Sequence, residues 1–161
     1  MERKEFVVKL SLGLAALAAA VASIPVFSAF FAPIIETPSQ KWRRVGSLDD
    51  FKVGTTNQVT FENADPKSWA GVTARSAAWL RRDAENKFTA FSVNCTHLGC
   101  PVRWENDAEL FMCPCHGGVY YKDGSVASGP PPKPLVQYPV RINNGQVEIL
   151  TSPMPITSIN S

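Results

Sequence analysis

The chemically reactive side chains of this chain are confined to one short stretch. All four cysteines and both histidines lie between residues 95 and 116. They form two segments, Cys95-Thr-His-Leu-Gly-Cys100 and Cys113-Pro-Cys-His-Gly-Gly118, which we call box 1 and box 2. Each box holds one Cys–His pair, spaced as Cys-x-His or Cys-x-x-His, and one further cysteine. This clustering is the strongest constraint on the kind of functional site that the chain can form.

Three kinds of site suit this set of side chains. Two thiolates and two imidazoles can bind zinc, and four cysteines can form two disulfides with the histidines incidental. Common zinc modules repeat two similar knuckles, and neither alternative explains one Cys–His pair plus one further cysteine in each box. A [2Fe–2S] cluster explains the pattern, because one iron takes both thiolates and the other takes both imidazoles. The predicted ligands are Cys95, His97, Cys113 and His116.

A second constraint is an apolar run near the N-terminus. Residues 10–35 contain no charged side chain, and as a helix they span roughly 39 Å at about 1.5 Å per residue, where about 20 residues cross a bilayer. A cleavable signal peptide is one alternative, with Ala20-Val21-Ala22 as its cleavage site, but the apolar run continues well beyond it. A buried core helix fits poorly, because the run is apolar all round and flanked by charge. We therefore predict a retained transmembrane anchor over residues 10–35.

The rest of the chain is predicted to form a short tail, a linker and a head. Residues 1–9 are the N-terminal tail, and the segment Arg3-Lys-Glu-Phe-Val-Val-Lys9 resembles a twin-arginine export signal with lysine in the second arginine position. Residues 36–44 are polar, contain Pro38 and are predicted to be a linker or hinge. Residues 45–161 are assigned to the head.

Strand patterns dominate the head. Asn143-Asn144-Gly145 predicts a tight turn between the alternating segments 136–142 and 147–149, because Asn and Gly accept the positive φ that hairpin turns need. Asp123-Gly124 predicts a second turn. The 13 prolines argue against a helical bundle. Further short strands are predicted at Gln58–Phe61, Ala77–Arg81, Phe88–Val93 and Val119–Tyr121.

The two boxes resemble those of Rieske proteins, specifically the quinol-oxidising, cytochrome bc-type branch. The resemblance covers residues 95–118 closely, and the strand pattern and the N-terminal anchor more loosely. It implies a mainly β fold, an antiparallel β-sandwich head with a small cluster-binding subdomain at about residues 94–135. It also implies that Cys95 and Cys113 bind the buried iron of a [2Fe–2S] cluster. His97 and His116 then bind the outer iron near the surface.

The two further cysteines favour the cytochrome bc-type branch over other Rieske proteins. Ring-hydroxylating dioxygenases and their ferredoxins share the ligand pattern but generally lack Cys100 and Cys115, which the resemblance pairs as a disulfide between the boxes. Three basic residues precede the predicted anchor and three follow it closely, so charge does not orient the chain. Because disulfides persist in oxidising compartments, the head is expected on the periplasmic side of the cytoplasmic membrane.

The resemblance also assigns roles around the cluster. Tyr120 takes the position of a tyrosine whose hydroxyl hydrogen-bonds a ligating sulfur, with a half-buried strand tyrosine as the alternative. Leu98 is expected to shield the cluster on its quinol-facing side, beside the two histidines, and its alternative is an ordinary core leucine. A proline loop is expected to cover the cluster, with a stiff surface connection as the alternative. The loop residues are Gly129, Pro130, Pro131 and Pro132.

Gly118 departs from the pattern of the high-potential relatives. They carry serine there, and its hydroxyl donates to a bridging sulfide, which stabilises the reduced cluster and raises the midpoint potential. Glycine has no side-chain donor, so we expect a midpoint below that of serine-bearing relatives. Menaquinol is then a better-matched donor than ubiquinol.

The function implied by the resemblance is that of the Rieske subunit of a quinol–cytochrome c reductase. The chain would take one electron from quinol, with a proton taken up at His116 beside His97, and pass the electron to a cytochrome c-type haem. It would act as an electron carrier, and catalysis would belong to the assembled complex. Expected partners are cytochrome b-type and c-type subunits of a dimeric complex, quinol and membrane lipid. No basic stripe suggests nucleic acid among its 16 basic and 14 acidic residues.

Two other functions stay open from the sequence. The first is the small Rieske subunit of an arsenite oxidase, which uses similar boxes with a molybdenum partner. The second is a zinc-stabilised binding module.

Overall fold

The computed structural model describes residues 2–35, 40–64 and 71–151. It consists of two compact units, Met1–Pro38 and Ser39–Ser161. The first unit contains one helix, α1 (Arg3–Ile35). From Arg3 to Phe31 this helix is long and apolar enough to cross a membrane, and none of that stretch is buried. The helix begins at Arg3 rather than at Leu10, so most of the polar tail forms its first turns.

The second unit is built from short antiparallel strands. They form three sheets with the strand orders β1-β11-β10, β2-β3-β4-β9 and β5-β6-β7-β8, which we call sheets A, B and C. The strands of the described part are β1 (Lys41–Ser47), β2 (Thr56–Glu62), β3 (Arg75–Ala84), β4 (Lys87–Ser92), β5 (Arg103–Glu105), β6 (Leu110–Cys113), β7 (Gly118–Tyr121), β8 (Val126–Ser128), β9 (Gln137–Tyr138), β10 (Val140–Asn143) and β11 (Gln146–Thr151). The mainly antiparallel β fold with one N-terminal apolar helix is confirmed.

Sheets A and B share one hydrophobic core. Val147 and Ile149 of β11 pack there with Leu80 of β3, and all three are fully buried. Phe61 and Tyr138 meet edge to face across this core with ring centroids 5.6 Å apart. The two sheets therefore form the expected sandwich, held by burial of apolar area.

Sheet C has its own core, on the other side of sheet B. Successive residues of a strand point to opposite faces, and in β4 Ala90 packs in the first core while Phe91 packs in the second. Phe91 contacts Phe111 of β6 with centroids 5.5 Å apart. The Trp79 indole N–H donates to the Val102 carbonyl at 3.1 Å. Two neighbouring strands of sheet B, β3 and β4, thus attach the subdomain that carries both boxes to the sandwich.

The start of the head differs from the sequence prediction. β1 begins at Lys41 and pairs with β11 from Lys41↔Thr151 onward, so residues 41–44 of the predicted linker belong to sheet A. This strand has no apolar alternation, and contacts of its cationic and aromatic side chains stabilise it instead. The Arg141 guanidinium lies over the Trp42 ring at 4.3 Å, and Arg43 donates to the Asn63 carbonyl at 2.9 Å. Residues 36–39 of the linker and the tail after Thr151 lie outside the described residues.

The predicted turns and short strands are found, with one change. Asn144 and Gly145 have φ of 49° and 72° and join β10 to β11, as expected for a tight hairpin turn. The Gly124 N–H donates to the Tyr121 carbonyl at 2.9 Å in the second predicted turn. The predicted strand over residues 136–142 is divided at Pro139: β9 joins sheet B and β10 joins sheet A. Proline has no N–H for a ladder, so it marks such a break.

Candidate metal centre

Each box is a tight turn closed by backbone hydrogen bonds. Box 1 follows β4, where the Gly99 N–H donates to the Cys95 carbonyl at 2.9 Å. Box 2 joins β6 to β7, where the Gly117 N–H donates to the Cys113 carbonyl at 3.1 Å. Gly99 and Gly117 have φ of 80° and 69°, a region that favours glycine. Each turn holds its histidine between its two hydrogen-bonded ends.

The predicted disulfide is present in the structure. Cys100 and Cys115 are bonded, with their Cα atoms 6.5 Å apart, and so connect box 1 to box 2. Cys95 and Cys113 are free thiols. The sulfur of Cys113 lies within 4.8 Å of both disulfide sulfurs. Cys100 and Cys115 thus form the disulfide that the resemblance implies, and Cys95 and Cys113 remain available as ligands.

The two free thiols lie in the core beneath sheet C. Cys95 and Cys113 are each only 3% exposed and pack with Phe111 and Tyr120. Burial raises the pKa of the Cys113 thiol; the Cys115 N–H lowers it, and contact with the Cys95 thiol raises it. Two thiolates in such surroundings need a compensating positive charge, which bound iron supplies.

The two imidazoles lie side by side on the outer part of the site. Their ring centroids are 4.9 Å apart and the rings are nearly perpendicular. His116 is exposed and His97 is half-buried. The Nδ1 atom of His97 is buried and has no hydrogen-bond partner among the described residues.

The unpaired nitrogen tests whether a metal fits this site. A buried polar atom without a partner costs about 1–3 kcal/mol, and native structures rarely leave one unexplained. A metal ion bound at His97 Nδ1 removes that cost. Two buried thiols and two outward imidazoles are also the donor set that a Rieske-type cluster requires. The residues present therefore fit a [2Fe–2S] cluster, and we propose the four predicted side chains as its ligands.

Tyr120 is fully buried beneath box 1. Its hydroxyl lies 3.1 Å from the Cys95 sulfur and accepts the Thr96 N–H at 3.0 Å. Burial and contact with Cys95 raise the pKa of Tyr120 to about 12. The hydroxyl therefore keeps its proton and is available to donate to the sulfur. The position matches the predicted role, and the alternative of a half-buried strand tyrosine does not fit a fully buried side chain.

Thr96 is a site residue that the sequence reasoning missed. Its hydroxyl donates to the Lys133 carbonyl at 2.7 Å and lies 3.1 Å from the Tyr120 hydroxyl. Thr96 thus connects box 1, β7 and the segment after the proline loop. Its place between two predicted ligands is the only signal in the sequence, because Lys133 lies 37 residues further on.

The proline loop lies directly against box 2. Gly129 has φ of 91°, and a Cβ there would lie 2.6 Å from the Gly117 carbonyl oxygen, so the two backbones are in contact. Pro131 is buried, whereas Pro130 and Pro132 are exposed. A stiff surface connection does not explain this packing, and we propose that the loop covers the cluster.

Leu98 lies at the tip of box 1. Its side chain is 72% exposed, so the alternative of an ordinary core leucine is wrong. An exposed leucine next to His97 suits an apolar contact with a partner or a quinol, and that role stays a proposal.

Tyr120→Phe is expected to lower the midpoint potential of the bound cluster. The hydroxyl lies 3.1 Å from the sulfur of Cys95, a proposed ligand, and a hydrogen bond donated to that sulfur would stabilise the more negative, reduced state of the cluster. Loss of about 1 kcal/mol of that preference corresponds to a fall of about 40 mV for a one-electron couple. Redox titration followed by EPR measures it. The matched control is Tyr121→Phe, on the exposed side of the same strand, and equal midpoints in the two variants would contradict the assigned hydrogen bond.

Comparisons with known proteins agree with this geometry. The Rieske [2Fe-2S] domain family matches residues 41–139. The chain is similar to the cytochrome b6-f complex iron-sulfur subunit of Chlorobaculum thiosulfatiphilum, with 32% identity over 92% of this chain and 75% of that protein. It is also similar to the menaquinol:cytochrome c reductase iron-sulfur subunit of Bacillus subtilis, with 29% identity over 90% of this chain and 89% of that protein.

Other matches are shorter or concern the fold. For three further curated relatives the chain spans 34%, 43% and 54% of their length. A solved structure, the plasma membrane Rieske protein of the cyanobacterium Synechocystis, superimposes with a TM-score of 0.50 at 25% identity. That match covers 66% of this chain and 96% of the other.

Proposed function

We propose that this chain, which belongs to the Rieske [2Fe-2S] domain family, is the electron-carrying Rieske subunit of a cytochrome bc-type quinol–cytochrome c reductase. The observation that carries the proposal is the arrangement of the two boxes. Two adjacent imidazoles lie outside a pair of buried thiols, and the Cys100–Cys115 disulfide connects the boxes. Family membership makes the cofactor a [2Fe-2S] cluster and leaves the zinc module without support.

The N-terminal helix is consistent with a membrane complex. One apolar helix, together with similarity to subunits of membrane complexes, supports a single-pass membrane protein. We place the head on the periplasmic side, because a disulfide persists only where the surroundings are oxidising. The proposed partners are cytochrome b-type and c-type subunits, membrane lipid and quinol, in a dimeric complex.

The residues of the site divide the work of quinol oxidation. The cluster, when bound, stores one electron at a time. The buried, unpartnered Nδ1 of His97 would bind the metal, which would leave Nε2 on the far side of that ring for proton exchange. His116 is the more exposed imidazole and is proposed to accept the hydrogen bond and then the proton of quinol. Tyr120 keeps its own proton and acts only through the Cys95 sulfur.

The quinol is proposed to be menaquinol. Gly118 offers no hydroxyl to the site, which favours a low midpoint potential and a low-potential donor. One relative spanning most of the chain is named as a menaquinol:cytochrome c reductase subunit, which supports the same choice.

Membranes containing the chain are expected to reduce cytochrome c when supplied with menaquinol, and the chain is expected to copurify with haem-bearing subunits. His116→Ala should abolish this activity, because it removes both a predicted ligand and the proton acceptor. Arsenite in place of menaquinol is the control for the arsenite oxidase alternative. Reduction of the acceptor by arsenite, with no response to menaquinol, would overturn the proposed function.

The same preparation tests proton uptake. If an imidazole of the oxidised protein loses a proton that the reduced protein keeps, the midpoint falls by about 59 mV per pH unit above that transition. Redox titration from neutral to strongly alkaline pH measures the slope. A midpoint that stays constant throughout would exclude proton uptake at the histidines.

A further inference from the structure

Gly118, the last residue of box 2 and the first of β7, is buried, and a side chain there would collide with the proline loop. A Cβ on Gly118 would lie 2.7 Å from Cγ and 3.2 Å from Cδ of Pro131. Carbon atoms in contact prefer about 3.5–4.0 Å. The same Cβ would lie 3.4 Å from the Cβ of Cys113, which is ordinary contact. Pro131 is therefore the residue that leaves no room at position 118.

The backbone at position 118 does not itself require glycine. Gly99, Gly117 and Gly129 have positive φ, but Gly118 lies in a strand outside that region. Any L-residue can adopt extended strand backbone. The restriction at this position is therefore one of space and not of backbone conformation.

Pro131 cannot easily give way. Its ring is rigid and buried, and the loop backbone beside it rests on the Gly117 carbonyl at Gly129. Further along, Lys133 accepts the Thr96 hydroxyl at 2.7 Å, and the Leu135 N–H donates to the Gly124 carbonyl at 2.8 Å. Contacts on both sides of Pro131 therefore fix the loop, to box 2 before Pro131 and to box 1 and the Gly124 turn after it.

We propose that Gly118 and Pro131 are a size-matched pair, in which the proline ring fills the space that a side chain at 118 would occupy. Pro131 thereby excludes a hydroxyl donor from the position next to Cys113. A serine there alone forces the loop away, whereas a serine combined with a smaller residue at 131 fits. The loop thus keeps the midpoint potential of the site low by excluding a hydroxyl donor from position 118.

The test is a set of paired variants in the full-length, cluster-loaded protein. The packing arm compares Gly118→Ala, Pro131→Ala and the double variant by thermal unfolding and by the rate at which the visible cluster absorption bleaches. Overpacking by one methyl in Gly118→Ala is expected to lower the unfolding midpoint by roughly 5–10 °C and to speed bleaching several-fold. Adding Pro131→Ala should restore most of both losses.

Two outcomes would overturn the pairing. In the first, the losses of the two single variants simply add in the double variant. In the second, Gly118→Ala keeps the stability and bleaching rate of the parent. If Gly118→Ala yields no loaded protein, recovery of loaded protein by Pro131→Ala supports the pairing, and failure to recover it counts against it.

A second arm measures the midpoint potential in two double variants that differ only by one hydroxyl group. Gly118→Ser with Pro131→Ala is expected to have a higher midpoint potential than Gly118→Ala with Pro131→Ala, because a hydroxyl that reaches a cluster sulfur stabilises the reduced state. Gly118→Ser alone should lose stability as Gly118→Ala does. A stable Gly118→Ser protein with a raised midpoint would show that Pro131 excludes nothing. The packing arm measures only the stability and the bleaching of the loaded protein, so its outcome is independent of the proposed quinol-oxidising function.

Discussion

Cys113→Ser is expected to abolish the EPR signal of the dithionite-reduced protein and to leave no bound iron. Cys113 is one of two free, buried thiols at the site, and a serine hydroxyl is a poor substitute for a thiolate ligand of iron. The same complete loss is expected when any other predicted ligand is replaced: Cys95, His97 or His116. EPR together with iron and sulfide analysis of the purified full-length chain measures it.

The matched control for this experiment removes the other two sulfurs. The double variant Cys100→Ser with Cys115→Ser is expected to keep iron and the EPR signal, because these sulfurs are bonded to each other and are not ligands. Retention of the signal in Cys113→Ser, or its loss in freshly prepared double variant, would contradict the ligand assignment. Zinc in the parent protein in place of iron would contradict the cofactor itself.

The same double variant is expected to lose about 3 kcal/mol of stability. The disulfide joins residues 15 apart in sequence, and closing a loop of about 15 residues stabilises the folded state by about that amount, through the entropy of the unfolded chain. For a head of this size the unfolding midpoint should fall by roughly 10 °C. Calorimetry or visible absorption during heating measures the shift.

Loss of the Cys100–Cys115 disulfide should also make the cluster less stable. Cys100 and Cys115 connect the two boxes, so without the bond either box can open separately and the cluster should bleach faster. Mild reduction of the parent disulfide should reproduce both effects. Unchanged stability in the variant would contradict a stabilising role for the disulfide. Free alkylatable thiols at both positions in protein taken directly from cells would contradict the disulfide itself and a head on the oxidising side.

Local signals in the sequence predicted much of the fold. The Asn144-Gly145 turn was predictable because its two positive φ values are a property of the two residues themselves. The helix was predictable from an uninterrupted apolar run. β1 was not, because a guanidinium stacked on Trp42 and pairing with β11 stabilise a strand without apolar alternation. Its partner lies at the far end of the head, and no local pattern identifies it.

The candidate site divides in the same way. Ligand types and their spacing predict Cys95, His97, Cys113 and His116 as the ligands, since iron imposes its own chemical requirement on a short segment. The hydrogen bonds of Thr96 join it to residues 24 and 37 positions away, which spacing does not encode. The sequence shows that Gly118 has no side-chain donor, but only the structure shows that Pro131 of the proline loop leaves no room for one.

The sequence by itself therefore determined the chemistry of the two boxes, the membrane helix and the mainly β character of the head. These follow from ligand identity, local hydropathy and turn residues, and each can be read within a short window. Only the tertiary structure decided how the two boxes meet, that the Tyr120 hydroxyl lies against the Cys95 sulfur, and that Pro131 occupies the space beside Gly118. Those features depend on where distant segments return to one another, and that is set by packing over the whole head.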